Sequence, residues 1–227
     1  MLYLFDIDGT LLWSGGAGAR ALERVFARRF QVEGAMESVS CGGKTDEMIV
    51  AEMFRAGIDR DPSPSELRDL IAEYEAELPE ELERSERFHL LPEVREVLAE
   101  VGGMVGRGLG IATGNTKNGA RAKLERAGLW DRFFFGGYGC DSAVRSELVA
   151  AAIDRGRQAV GAEVGVAEIV VVGDTPRDVE AARACGVRVV AVATGHPSRT
   201  ELEAAEPDAV IDTLAELGAW HRTTFGA

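Results

Sequence analysis

Histidine and cysteine are scarce in this chain of 227 residues: His89, His196 and His221 stand far apart, and Cys41, Cys140 and Cys185 are odd in number and widely spaced. Such spacing supports neither a catalytic triad, nor a zinc-ligand set, nor a disulfide framework, so the thiols are expected to be reduced and the histidines to be surface or loop residues. Positive charge is also short. Lysine and arginine together number 25 against 38 aspartates and glutamates, a formal charge of -13 with a pI near 4.8. That balance repels nucleic-acid phosphates and anionic lipid surfaces, so neither nucleic acid nor membrane is an expected partner. Long apolar runs are missing too, and none approaches the roughly 20 residues that cross a bilayer. Asp6 and Asp8 arrive before any charged and apolar leader pattern has formed, and the expectation is a cytoplasmic protein.

What remains is an ordinary globular composition, 46% hydrophobic and 28% charged, long enough for one core carrying a smaller satellite. Short apolar runs recur at Leu2 to Phe5, Leu109 to Ala112, Phe133 to Phe135, Ile169 to Val172 and Val187 to Val192. Continuous apolar character marks strands covered on both faces. Helical stretches at Lys117 to Ala127, Glu147 to Val160 and Arg177 to Cys185 alternate with them. The alternation predicts an α/β fold, a doubly wound parallel sheet of Rossmann-like form. Gly102 to Gly108 reads as a flexible turn into the second core strand.

From Trp13 to about Leu91 the alternation stops, and helical patterns appear with no convincing strand, as expected of an inserted helical subdomain. Leu67, Leu70, Ile71, Tyr74 and Leu78 recur at helical spacing behind Ser63-Pro64-Ser65-Glu66, a capping box with proline at the first helical position. Glu73, Glu75, Glu77, Glu80, Glu81 and Glu83 read as the solvated face of that helix.

Candidate chemistry gathers where the apolar runs end. Asp6 and Asp8 follow the first run, and Gly9 lets the chain turn so that both carboxylates can border one pocket at the C-terminal end of a parallel strand, where open α/β sheets bind ligands. One carboxylate could attack phosphorus while the other moves a proton. Asp174 ends the run Ile169 to Val172 and Gly173 in the same way; oxygen ligands from separate strands suit a hard cation such as Mg²⁺ better than zinc. Asp178 could orient the site or stabilise a helix N-terminus. Thr113, Gly114 and Asn115 close the second core strand before a helix, where a hydroxyl and helix-terminal N–H groups could hold phosphoryl oxygens; the same residues also make good helix caps.

In this order and spacing the residues closely resemble the haloacid-dehalogenase-like hydrolase superfamily, in the branch of phosphoglycolate phosphatases and β-phosphoglucomutases. Asp6-Ile7-Asp8-Gly9-Thr10 looks like its first motif, Thr113 its second, and Gly173-Asp174 through Asp178 its fourth. The resemblance implies Asp6 as nucleophile, Asp8 as general acid and base, Mg²⁺ held by Asp6, Asp174 and the Asp8 carbonyl, and Thr113 binding the phosphoryl group. It also implies sheet order 3-2-1-4-5, a catalytic core from residues 1–12 and 92–227, and a helical cap from 13–91. The family's third-motif lysine has no counterpart, because Lys44, Lys117 and Lys123 lie outside that segment. Arg145 is the expected substitute, since arginine keeps the charge and clamps phosphate bidentately; Arg132 and Arg177 are the fallbacks. In the cap, Gly42-Gly43-Lys44-Thr45-Asp46 resembles a loop facing the catalytic centre, where Lys44 and Thr45 contact substrate, or where Thr45 and Asp46 merely cap a helix.

These features imply a Mg²⁺-dependent phosphatase acting on a small phosphate monoester, phosphoglycolate- or sugar-phosphate-like, through an aspartyl-phosphate. Asp8 speaks against a dehalogenase, which has no alkoxide to protonate. The alternatives are a β-phosphoglucomutase-like phosphomutase and, from another class, a non-catalytic phospho-acceptor module. Cys140 does not fit a cysteine phosphatase, because four residues separate it from Arg145 where that class has five. The sequence is silent on oligomeric state.

Overall fold

The structure is a computed structural model that describes residues 1–161 and 163–226. In chain order its elements are β1 (Leu2–Phe5), β2 (Leu12–Trp13), α1 (Ala17–Phe30), α2 (Asp46–Ile58), α3 (Pro64–Glu83), β3 (His89–Leu90), α4 (Val94–Val105) and β4 (Leu109–Ala112). There follow α5 (Lys117–Arg126), β5 (Phe135–Gly137), α6 (Arg145–Val160), β6 (Ile169–Gly173), α7 (Pro176–Ala184), β7 (Arg188–Val192), α8 (Arg199–Ala204), β8 (Ala209–Ile211) and α9 (Leu217–Phe225).

Six strands form one parallel sheet in the order β5-β4-β1-β6-β7-β8. The first five core strands therefore stand in the expected order. β1 is apolar throughout because it is covered twice: Tyr3 and Phe5 join a cluster with Val97, Leu98 and Leu124, while Leu2 and Leu4 pack with Leu148, Ile153 and Val179. No helix among the described residues is long and apolar enough to cross a membrane.

α1, α2 and α3 hold a separate apolar cluster that includes Phe26, Met53, Phe54, Leu70, Tyr74 and Leu78. α3 starts as its sequence predicts, with the Ser63 hydroxyl accepting from Glu66 N and the Glu66 carboxylate accepting from Ser63 N at 2.8 Å. The chain enters and leaves this helical body through a two-rung antiparallel ribbon, Leu12 opposite Leu90 and Trp13 opposite His89. That ribbon corrects the strandless reading of the interval; two residues per strand are too few to carry a period.

Other expectations are corrected by packing. The third core strand is Phe135–Gly137 rather than Phe133 to Phe135, and it is glycine-built because α6 presses on it: a Cβ on Gly137 would lie 1.9 Å from the Leu148 carbonyl oxygen. Helix α4 runs through Gly102 and Gly103, and only Gly106–Gly108 turns, as a single 3-10 turn. The acidic face of α3 is not simply solvated. Glu81 is buried and bonded by Arg20 at 2.9 Å and Arg24 at 2.6 Å, and Glu77 and Glu73 meet Arg24, Arg28 and Arg29 of α1. His221 is buried rather than superficial, with its Nδ1 2.8 Å from the Tyr3 hydroxyl; His89 and His196 are exposed.

Candidate active site

Strands β4, β1 and β6 lie side by side, so the residues that follow them, Thr113, Asp6 and Asp174, meet at one end of the sheet. The chain turns at Gly9, whose φ of +80° is costly for any residue bearing a Cβ. A Cβ there would also stand 2.4 Å from Asp174 Oδ2, so only glycine admits the carboxylate. Thr10 Oγ1 donates to Asp174 Oδ1 at 2.9 Å and fixes its rotamer.

Asp6 is buried, and Arg145 Nη2 donates to its Oδ2 at 2.8 Å. The same guanidinium donates to Asp178 Oδ1 at 2.5 Å and to the Gly43 carbonyl at 3.1 Å. Asp178 Oδ2 in turn accepts from Thr175 N and Thr175 Oγ1 at 3.0 and 2.7 Å, so both of its oxygens are occupied. Of the two roles open to Asp178, the geometry therefore supplies both: it orients Arg145 and caps α7. Arg145 is the first residue of α6 and reaches Asp6, whereas Arg132 and Arg177 are exposed.

Asp8 points elsewhere. Its Oδ2 accepts from Lys123 Nζ at 2.6 Å and from Asn115 Nδ2 at 2.9 Å, and Lys123 also donates to Asn115 Oδ1 at 2.6 Å. Asn115 Nδ2 further bonds Thr113 Oγ1 at 2.8 Å, tying the end of β4 to the same network. Lys123 is a further lysine at the site, not among the residues expected there, and it enters from α5 rather than from the third-motif segment. Its signal was present in the sequence: Ala120, Lys123, Leu124 and Ala127 form the buried stripe of that helix, and a charge on such a stripe demands a partner.

The helical body reaches the site through the loop before α2. Gly114 has room for no side chain, since a Cβ would sit 2.1 Å from the Lys44 carbonyl oxygen, and Asp46 N donates to the Gly114 carbonyl at 3.0 Å. Asp46 Oδ2 accepts from Thr116 N at 2.8 Å, so this acid of α2 caps the approach to α5. Thr45 takes the capping role, accepting from Met48 N at 3.3 Å. Lys44 lines the cavity, but its Nζ is bonded to Glu52 at 2.5 Å. The cavity, which is partly open, has a volume of about 360 Å³ and is lined by Asp6, Asp8, Thr113 and Asp174 among others.

Burial raises the Asp6 carboxyl to about 6 despite the counter-pull of Arg145. Burial first, then the neighbouring Asp6 and Asp178 charges, push Asp174 well above the ordinary carboxylate range. Burial also raises Asp46 to about 6, with Lys123 opposing it. Lys123 and Arg145 remain firmly protonated, because their carboxylate partners outweigh the cost of burial. Carboxylate oxygens of Asp6, Asp174 and Asp178 lie within 4.8 Å of one another. With Asp178 engaged, Asp6 and Asp174 are the donors left for a cation. An all-oxygen, charge-crowded set with too few protein cations fits a hard divalent ion.

The chain belongs to the haloacid dehalogenase-like hydrolases, whose family it matches over residues 3–192. A phosphoglycolate phosphatase from Rhodospirillum rubrum is 30% identical, over 96% of this chain and 89% of that protein. A probable phosphatase IndB from Dickeya dadantii is 29% identical, over 97% of this chain and 93% of its own length. CbbY from Rhodobacter sphaeroides, solved in complex with phosphate, shares the fold with a TM-score of 0.74 and 23% identity over 96% of both chains.

Proposed function

We propose that this hydrolase is a Mg²⁺-dependent phosphatase of small phosphate monoesters and that Asp6 is its nucleophile. The observation that carries the reading is the division of labour between two carboxylates at one turn: Asp6 is buried beside a guanidinium, while Asp8, half-buried, is held by Lys123 and Asn115.

Asp6 attacks phosphorus as the ester P–O bond breaks, and the departing alkoxide takes the proton of the Asp8 carboxyl. Water then loses a proton to the Asp8 carboxylate and attacks the phosphoryl-Asp6; the P–O bond to Asp6 breaks, and phosphate leaves with both groups restored. Arg145 and Thr113 hold phosphoryl oxygens, with Gly114 and Asn115 shaping the rim. Mg²⁺, held by Asp6, Asp174 and the Asp8 carbonyl, would act as a Lewis acid toward the phosphoryl charge. Residues 13–91 serve as a cap over a core built from 1–12 and 92–227, and the cavity at the site lies between residues of both.

The test is release of phosphate from p-nitrophenyl phosphate. Turnover is expected with Mg²⁺, and its loss is expected on chelation and in Asp6→Asn. Undiminished turnover in Asp6→Asn contradicts the assignment.

A further inference from the structure

The cavity extends beyond the reacting groups, and its upper half is bounded by Trp13, Leu22, Ile49 and Tyr74. Three cationic side chains line the cavity, and each is already answered by a carboxylate. Arg145 is shared by Asp6 and Asp178, Lys123 is bonded to Asp8, and Lys44 is bonded to Glu52. Asp46 adds a buried acid to the same wall. Tyr74 is buried, and its side chain, with its hydroxyl, lines the same cavity. Burial and nearby acids push that hydroxyl well above its ordinary value, so it stays a donor.

A carboxylate or second phosphate on the leaving group would shed its water here without meeting an unanswered cation. Desolvation of an ion without compensation is costly. A hydroxyl would meet Tyr74, and carbon would meet the apolar wall.

We propose that the substrate's leaving group is an uncharged, hydroxyl-bearing alcohol and that Glu52 enforces this by cancelling the charge of Lys44. This rests on the phosphatase reading, and it sets the chain apart from relatives named for phosphoglycolate. Glu52 is a positioning residue: it acts through Lys44 from behind the cavity wall.

Two esters of matched size isolate the charge: 2-hydroxyethyl phosphate and 2-phosphoglycolate, which differ by a hydroxymethyl against a carboxylate. With Mg²⁺, kcat/KM is expected to favour 2-hydroxyethyl phosphate at least tenfold. Glu52→Gln is expected to narrow that ratio at least tenfold, chiefly through a lower KM for 2-phosphoglycolate. Lys44→Gln provides a second readout, in which the ratio stays on the side of the neutral ester. Preference for 2-phosphoglycolate in the unaltered protein overturns the proposal, as does an unmoved ratio in a folded Glu52→Gln. Collapse of 2-phosphoglycolate turnover in Lys44→Gln overturns it too, by making Lys44 a carboxylate receptor. Absence of turnover with either ester and with p-nitrophenyl phosphate removes the phosphatase reading, and the proposal with it.

Discussion

Along the seam between α1 and α3, Asp69, Glu73, Glu77 and Glu81 face Arg20, Arg24, Arg28 and Arg29, and each acid has at least one guanidinium within 3.0 Å. At the end of the sheet, Asp6, Asp174 and Asp178 crowd together and Arg145 is bonded to only two of them. The same residue types thus meet opposite fates. Burial would raise Glu81, yet hydrogen bonds from Arg24 and Arg20 outweigh it and hold its carboxyl below the ordinary range. Asp6 and Asp174 are raised instead. A paired ladder joins two helices, whereas an under-compensated cluster leaves a demand for positive charge that a bound cation can meet.

The largest effect that sharpens this contrast should come from Asp8. Asp8→Asn is expected to lower turnover of an alkyl phosphate by about 10²–10⁴-fold, the usual range for a proton-transfer group. A p-nitrophenyl ester should lose less in the first step, because its leaving group needs little protonation. Equal losses for both esters in single-turnover measurements would break the assignment of Asp8 as the acid.

Metal should act on one region and not on the other. Mg²⁺ at about 100 times its Kd is expected to stabilise the folded chain by about 2.7 kcal/mol, a rise of roughly 5–10 °C in Tm for a protein of this size. Asp174→Asn should abolish most of that rise, and Glu81→Gln should leave it intact. A Mg²⁺ shift that survives Asp174→Asn would place the cation elsewhere.

The smallest effects concern pH, and their signs are opposite. Asp46, raised to about 6, binds its proton more tightly when folded, so its contribution to stability is present at low pH and is lost as pH rises through about 6. Asp46→Asn should therefore raise Tm relative to the unaltered protein at pH 7.5, by an amount worth about 1–2 kcal/mol, and the gain should shrink as pH falls through about 6 and vanish only below the ordinary carboxylate value of about 4. Glu81, held below its ordinary value, contributes stability above that value and loses it as pH falls. Glu81→Gln should lower Tm at pH 7.5, by roughly 0.5–1 kcal/mol, and the deficit should shrink as pH approaches about 4. Parallel pH profiles for the two variants would erase the distinction between the regions.

The sheet and the strand-end residues were legible because doubly covered parallel strands are apolar throughout, and each such run stops at a polar residue that must lie at the sheet's edge. Asp6, Thr113 and Asp174 are legible for that reason. Arg145 could be reached by position alone, since it opens the helix after the third strand. Glu81 is obscured when charge is read as the mark of a solvated face, and Lys123 when a site lysine is looked for only in the third-motif segment. Both occupy the buried stripe of their helices, Lys123 among Ala120 and Leu124, Glu81 after Tyr74 and Leu78. A charge at an apolar position in the helical period is the signal that finds such residues. β8 and the ribbon of β2 and β3 are two or three residues long and carry no period of their own. Gly137 sits in a strand for which its lack of a side chain, not its hydrophobicity, is the requirement.

The most direct test of the account is where the phosphoryl group goes. Acid quenching of the Mg²⁺-loaded protein during turnover of a ³²P-labelled monoester, followed by peptide mapping, should place label on the peptide containing Asp6, and Asp6→Asn should carry none. Label on any other side chain, or turnover with inversion at phosphorus and no covalent label, would contradict Asp6 as the nucleophile.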